Sequence, residues 1–303
     1  MTAKPDSTFA RRALAPAKIN LFLHVGPLDA SGYHPVASLA VFADLGDRIS
    51  VAPAEVFEFV IAGPFAAALA GHDRNLVLDA IRALEAETDL PLGPARVLLD
   101  KQLPVSAGVG GGTADGAATL RLFNEAFDLG LTPDALERAA ASLGSDGPLC
   151  LRSGPAIAEG RGDRLSPAPL LPELHAVLVN PGKPCATGAV YGAFDATGSA
   201  RPLDRPGLPS AFESAGELAA FLAMTRNDLE RPAVLIEPEI GLVLARLHAA
   251  PQALIARMSG SGATCFALVE GEMTARTLGE EIARENPAWW VKPCRLGGPW
   301  QGC

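Results

Sequence analysis

Between residues 104 and 118 the chain reads PVSAGVGGGTADGAA, and four of the five residues from Gly108 to Gly112 are glycine. The segment Pro104, Val105, Ser106, Ala107, Gly108, Val109, Gly110, Gly111, Gly112, Thr113 and Ala114 follows a strand-like run, ARVLLDKQLP, and precedes a helical one. Successive exposed backbone N–H groups form an anion-binding concavity. A helix N-terminus adds unpaired N–H groups and positive dipole charge. Glycine leaves room for close approach. Together these suit a polyphosphate, although a tight turn with close packing also uses such glycines. Two common templates fail. No Gly-Lys-Ser/Thr follows the loop, so it is not a P-loop, and the dinucleotide pattern breaks at Thr113. The loop holds no lysine, so a cation must come from elsewhere. A second glycine cluster, MSGSGATCF (258 to 266), joins a helical segment to a strand and makes a shared site more plausible than either loop alone.

The elements that must position these loops alternate between strand and helix. AKINLFLHV (17 to 25) has strand alternation, with Ile19, Leu21, Leu23 and Val25 on one face and Lys18, Asn20, Phe22 and His24 on the other. DRISVAPA and EVFEFVIAG read as further strands. A helix is expected over 75 to 87, with Asn75 as its N-cap. Thr132, Pro133 and Gly144 bracket another. Beyond residue 163 the texture turns proline-rich, which places a domain boundary there: 1 to 163 and 164 to 303. HAVLVN and ATCFALV are strands of the second part, and helices are expected over 216 to 224, 238 to 249 and 273 to 285.

Composition narrows the class. The chain has 303 residues, 49% hydrophobic and 19% charged, enough for a substantial core. Its net charge of −9 argues against a nucleic-acid footprint, which needs a basic face. No apolar run is long enough to span a membrane, and no signal peptide is evident at the N-terminus, so a cytoplasmic protein is expected. The five cysteines, Cys150, Cys185, Cys265, Cys294 and Cys303, show no metal-ligand pairing and read as reduced. Cys294 and Cys303 could pair on oxidation, but a loose tail is the plainer reading.

Pro104 to Ala114 resembles the signature loop of the kinases named for galactose, homoserine, mevalonate and phosphomevalonate, P-x-x-x-G-[LIV]-G-[GS]-[GS]-[ST]-[AS]. Ser259 to Thr264, SGSGAT, resembles their C-terminal glycine motif. Within that family the chain is similar to the branch whose acceptor is a cytidine-diphosphate-linked sugar alcohol of non-mevalonate isoprenoid synthesis. The likeness lies in APAKINLFLHV, GYH (32 to 34), LGSDGP (143 to 148), AEGRGD (158 to 163), NDLE (227 to 230) and SGSGATCFAL. The resemblance implies an α+β fold, a two-domain α/β sandwich. Its N-terminal domain would be a ribosomal-protein-S5-like ATP-binding domain and its C-terminal domain ferredoxin-like, with the site in the cleft between them. It further implies ATP and Mg²⁺ as cofactors, a small-molecule acceptor, no nucleic-acid or membrane partner, and a monomer or weak homodimer.

The resemblance also assigns roles. Asp146 becomes the base for the acceptor hydroxyl, although Asp at that place is equally a favoured N-cap. Lys18, otherwise an ordinary solvated lysine, becomes its cationic partner. Thr113 would touch a phosphate or Mg²⁺, or cap the helix. Asn75 and Lys101 match positions near the adenine, against the plainer readings of an N-cap and a surface lysine. Tyr33, His34 and Tyr191 point to the cytidine, and Asn20 either reaches substrate or holds His34. The plain alternative for Tyr191 is helix packing. His24 and His72 are left as satisfied histidines. No metal ligand is expected from the protein. The chain departs from the family at Ser31, at Ser106 and Ala107, and at Gly147, which is expected to loosen the backbone after Asp146. A kinase for homoserine or a mevalonate-type acceptor, and a non-catalytic nucleotide-binding protein, are the rival readings.

Overall fold

The computed structural model describes residues 11–71, 74–89, 91–198 and 201–300. His72 and Cys303 lie outside the described residues. The first part of the chain holds β1 (Arg11–Val25), β2 (Val36–Pro53), β3 (Glu58–Ala62), α1 (Leu76–Thr88), β4 (Ala95–Asp100), α2 (Gly111–Ala126), α3 (Pro133–Ser142), α4 (Gly147–Arg152), β5 (Ala156–Gly160) and β6 (Arg164–Pro167). The second holds β7 (Leu174–Asn180), α5 (Thr187–Ala196), α6 (Ala215–Ala223), α7 (Glu230–Ile236), α8 (Glu239–His248), β8 (Ile255–Met258), β9 (Cys265–Val269), α9 (Glu272–Glu285) and β10 (Trp290–Gly297).

One sheet runs through both parts in the order β3-β4-β2-β10-β7-β9-β8, with β1 and β5 pairing on β2. The chain's last strand makes the join. β10 pairs with β7 along its length and reaches β2 at Leu296↔Ala43 and Gly297↔Phe42. Residue 163 lies in the turn between β5 and β6, which pair with each other. Ile19, Leu21 and Leu39 from the first part share one buried cluster with Leu178, Leu218 and Phe266 from the second. A second cluster fills the space under α1, α2 and α3, and a third packs α5, α8 and α9 onto the other face of the second part.

The helices expected at 75, 132, 216, 238 and 273 are present as α1, α3, α6, α8 and α9. Asn75 caps α1, its Oδ1 accepting from Val77 N at 2.9 Å. Thr132 caps α3 through Ala135 N at 3.3 Å. The alternation assigned to β1 does not hold across its length. Pairing with β2 slips between Asn20 and Phe22, so Phe22 joins Ile19 and Leu21 while Leu23 and Val25 turn to the opposite cluster. A bulge of this kind re-aims the side chains that follow it. Both faces of β1 are buried from Ala15 to Val25. No helix among the described residues is long and apolar enough to cross a membrane.

Candidate active site

A cavity of about 950 Å³ is lined from both parts of the chain: by Lys18 and Asn20 of β1, the 104–113 loop, Asp146, Tyr191 of α5, and Gly260 and Ser261 of the second glycine loop. The phosphate-type loop opens α2. Gly110 occupies its N-cap with φ +64°, and no side chain caps the helix. The first-turn N–H groups are therefore left for a ligand, which rules out Thr113 as the cap. Thr113 lines the cavity, as do Pro104 to Gly108 and Gly110 to Gly112. Val109 and Ala114 do not, because their side chains are buried in the hydrophobic clusters.

Lys18 is not a solvated lysine. It is 7% exposed, and its Nζ lies 2.7 Å from Asp146 Oδ2. Its N–H donates to Val109 O at 2.8 Å, which fixes β1 against the loop. Its stem passes Gly110 so closely that a Cβ there would stand 3.4 Å from Lys18 Cβ. Burial pulls the Lys18 pKa down, but Asp146 outweighs it, and the net shift is upward. Lys18 therefore stays cationic at neutral pH. Asp146 holds the N-cap position of α4 without capping it, and spends its carboxylate on Lys18. Gly147 does not loosen this turn. It is buried at the start of α4, and a Cβ there would collide with the carbonyl oxygen of Ala140. Cys150, one turn into α4, has its thiol pushed up to about 12 by burial and then by the Asp146 charge.

Lys101 is not a surface lysine. It is 2% exposed and its ammonium lies 2.5 Å from Asp47 Oδ2 and 2.7 Å from Asp115 Oδ2. Asp47 Oδ1 accepts from the N–H groups of Gln102 and Leu103 at 2.6 and 2.8 Å. This buried triad ties the end of β4 to β2 and to the second turn of α2. Burial lowers the Lys101 pKa, while Asp115 and Asp47 together raise it, for a net upward shift. Burial raises Asp115 well above the usual carboxylate range, against the pull of Lys101.

At the other end of the cavity, Tyr33 is 48% exposed, with the Arg161 guanidinium 3.5 Å above its ring centre. His34 donates from Nδ1 to Gly26 O at 2.9 Å, since a carbonyl can only accept, and its Nε2 lies 3.2 Å from Asp195 Oδ1. Tyr191 stacks on His34 with ring centres 5.3 Å apart, and Phe194 meets it edge-on. Burial, then the charge of Asp146, pushes the Tyr191 hydroxyl to about 12. Ser31 keeps the GYH turn organised by donating to Asp29 Oδ1, which also accepts from Tyr33 N. Asn20 does not hold His34. Its Nδ2 donates to Ser38 Oγ at 2.7 Å, and its Oδ1 is buried without a hydrogen-bond partner among the described residues. His24 is a satisfied core histidine, bonded to Asp204 O and Arg226 N.

The sequence reading missed Asp47, Asp115, Arg161 and Asp195. The glycines also have a use beyond phosphate. Thr264 N donates to Ala107 O at 3.0 Å and Ser259 Oγ to Gly108 O at 3.1 Å, so the two glycine loops are laced together. Among the described residues, no cluster of three or more His, Cys, Asp or Glu side chains could hold a metal ion.

The sequence profile of the GHMP kinases N terminal domain matches residues 75–154, and that of the GHMP kinases C terminal matches 208–288. The 4-diphosphocytidyl-2-C-methyl-D-erythritol kinase of Caulobacter vibrioides is 53% identical over 285 residues, covering 94% of this chain and 98% of the relative. A crystal structure of 4-(cytidine 5'-diphospho)-2C-methyl-D-erythritol kinase superposes with a TM-score of 0.73 at 32% identity, over 95% of this chain and 99% of the other. Homoserine kinase from Cytophaga hutchinsonii shares the fold, with a TM-score of 0.67 at 16% identity over 99% of each chain. With its two glycine loops laced over one cavity and this identity along nearly its whole length, the chain belongs to the 4-diphosphocytidyl-2-C-methyl-D-erythritol kinase family of the GHMP kinases.

Proposed function

We propose that the protein transfers the γ-phosphoryl group of ATP to the 2-hydroxyl of 4-diphosphocytidyl-2-C-methyl-D-erythritol, giving ADP and the 2-phosphate. The observation that carries this reading is the Lys18–Asp146 pair, 2.7 Å apart in the cavity that the 104–113 loop lines. Phosphoryl transfer is mostly positioning and charge stabilisation. The free N–H groups at the start of α2 hold the phosphates. Asp146 accepts the proton of the attacking hydroxyl, a contribution of about 10² to 10⁴ in rate. Lys18 orients that carboxylate and offsets the negative charge that develops on the acceptor oxygen.

The donor set fits Mg²⁺ held chiefly by phosphate oxygens and water, to which Thr113 and Asp146, both lining the cavity, could add an oxygen. The chemistry such an ion would supply is neutralisation of charge on the transferring group. Asn75 and Lys101 border the adenine end, Lys101 through the triad beneath the loop. Tyr33, His34 and Tyr191 take the cytosine, and Asn20 Oδ1 accepts from a substrate hydroxyl.

In this reading the boundary expected at residue 163 separates a ribosomal-protein-S5-like domain, to which the β5–β6 pairing attaches residues 164–167 as well, from a ferredoxin-like one in the rest of 164–303. The β7-α8-β8-β9-α9-β10 succession, with strand order β10-β7-β9-β8, supports the latter. The protein works in the cytoplasm as a monomer or weak homodimer. Incubation of the purified protein with MgATP and the diphosphocytidyl acceptor, followed by phosphorus NMR, tests the reaction. A new phosphate ester matching the ADP formed supports it. ADP released without an ester removes it.

A further inference from the structure

Asn227, in the NDLE segment, does not line the cavity, yet its side chain is fully engaged. It is 8% exposed. Its Nδ2 donates to Met258 O and Gly260 O, both at 2.8 Å, and its Oδ1 accepts from Leu229 N at 2.9 Å. The flanking backbone is sewn to β1. Leu23 N donates to Arg226 O and Asp228 N to Leu23 O, each at 2.9 Å, while Val25 N donates to Asp228 Oδ2 at 2.8 Å. The strand that carries Lys18 and the loop that carries Gly260 therefore hang from the same three residues.

The Gly260–Ser261 peptide is trans. In a planar trans peptide the C=O and N–H point in opposite directions. Asn227 holds the Gly260 carbonyl, so the Ser261 N–H points away from Asn227. Gly260 and Ser261 line the cavity. The Ser261 N–H has no acceptor among the described residues. The loop around it is fixed on other sides, by Ser259 Oγ on Gly108 O and by the Ser261 hydroxyl 2.8 Å from that of Thr187.

We propose that Asn227 is a positioning residue: by holding the Gly260 carbonyl it aims the Ser261 N–H into the cavity, where that N–H donates to a phosphate oxygen. The inference rests on the kinase reading above. A preorganised N–H donor of this kind needs no reorganisation as charge develops. It would act together with the start of α2 and with Lys18, from the second part of the chain.

The test follows the amide signals of Ser261 and Thr113 by ¹⁵N–¹H NMR while the β,γ-imido analogue of ATP is added with Mg²⁺ and acceptor. Both signals are expected to move in the wild-type protein. In Asn227→Asp a carboxylate oxygen would face the two carbonyls that Nδ2 now serves. There the Ser261 response should disappear while that of Thr113 stays, and kcat should fall by about 10-fold or more with KM for ATP within about threefold. A Ser261 signal that stays fixed while Thr113 moves overturns the proposal and leaves the kinase reading standing. A Ser261 response retained in Asn227→Asp overturns it as well. If neither amide moves, both readings fail. The wild-type titration decides the matter alone should Asn227→Asp not fold.

Discussion

Gly108 and Gly260 approach each other too closely for either to carry a side chain. A Cβ on Gly108 would lie 2.5 Å from Ser259 O, and one on Gly260 would lie 2.6 Å from Gly108 O. Both also sit at positive φ, +72° and +56°. Gly108→Ala should therefore combine a left-handed backbone penalty of about 1 to 2 kcal/mol with displacement of the second loop. The expected result is a thermal midpoint lower by about 2 to 4 °C per kcal/mol lost, with weakened ATP binding. Calorimetry and a nucleotide titration check it, and an alanine variant with unchanged affinity would count against the lacing of the two loops.

Lys101 holds two buried carboxylates at once. Lys101→Met strands both and should cost about 3 to 5 kcal/mol. Asp115→Asn is the contrasting change, since Asp47 still pairs Lys101. The Asp115 pKa is raised in the folded protein. Its contribution to stability is therefore complete below its unfolded value and is lost as pH rises through the folded one. Denaturant titrations from acid to neutral pH should show Asp115→Asn gaining on the wild type as pH rises.

The aromatic end of the cavity should set acceptor affinity and not ATP affinity. Stacking on an aromatic is worth about 1 to 3 kcal/mol per base. Tyr191→Leu should raise KM for the diphosphocytidyl acceptor by about 5- to 150-fold, by the same free-energy range, and leave KM for ATP unchanged. Initial-rate kinetics with each substrate varied in turn measure the split.

Cys150 sits beside the Lys18–Asp146 pair but offers no thiolate. It is 1% exposed and its thiol is pushed up to about 12. Iodoacetamide at mildly alkaline pH should leave it unmodified in the folded protein and modify it after denaturation, as read by peptide mass spectrometry.

Much of this site was legible in the sequence for reasons that differ by residue. The 104–114 loop announces itself, because clustered glycines between a strand and a helix mark a place where something comes close to the backbone. Asn75 and Thr132 were readable as caps, since capping is local chemistry. Lys18 and Asp146 were not readable from spacing: 128 residues separate them, and only likeness to the family joined them. Asp47 gave no signal at all, because a lone acid within a strand has many ordinary explanations, and its partner Lys101 lies 54 residues on. The slip at Asn20 and Phe22 defeated a strict period of two. The strands β5, β6 and β10 and the helices α4, α5 and α7 went unread, and β8, only four residues long, was taken for the end of a helical segment.

The most direct test of the account is the turnover of Asp146→Asn beside the wild type with MgATP and 4-diphosphocytidyl-2-C-methyl-D-erythritol, with homoserine and mevalonate as comparison acceptors. The account predicts that the wild type prefers the diphosphocytidyl acceptor, and that the variant binds ATP normally while losing about 10² to 10⁴ in kcat. Wild-type-like turnover in Asp146→Asn, or faster turnover of homoserine or mevalonate by the wild type, would contradict it.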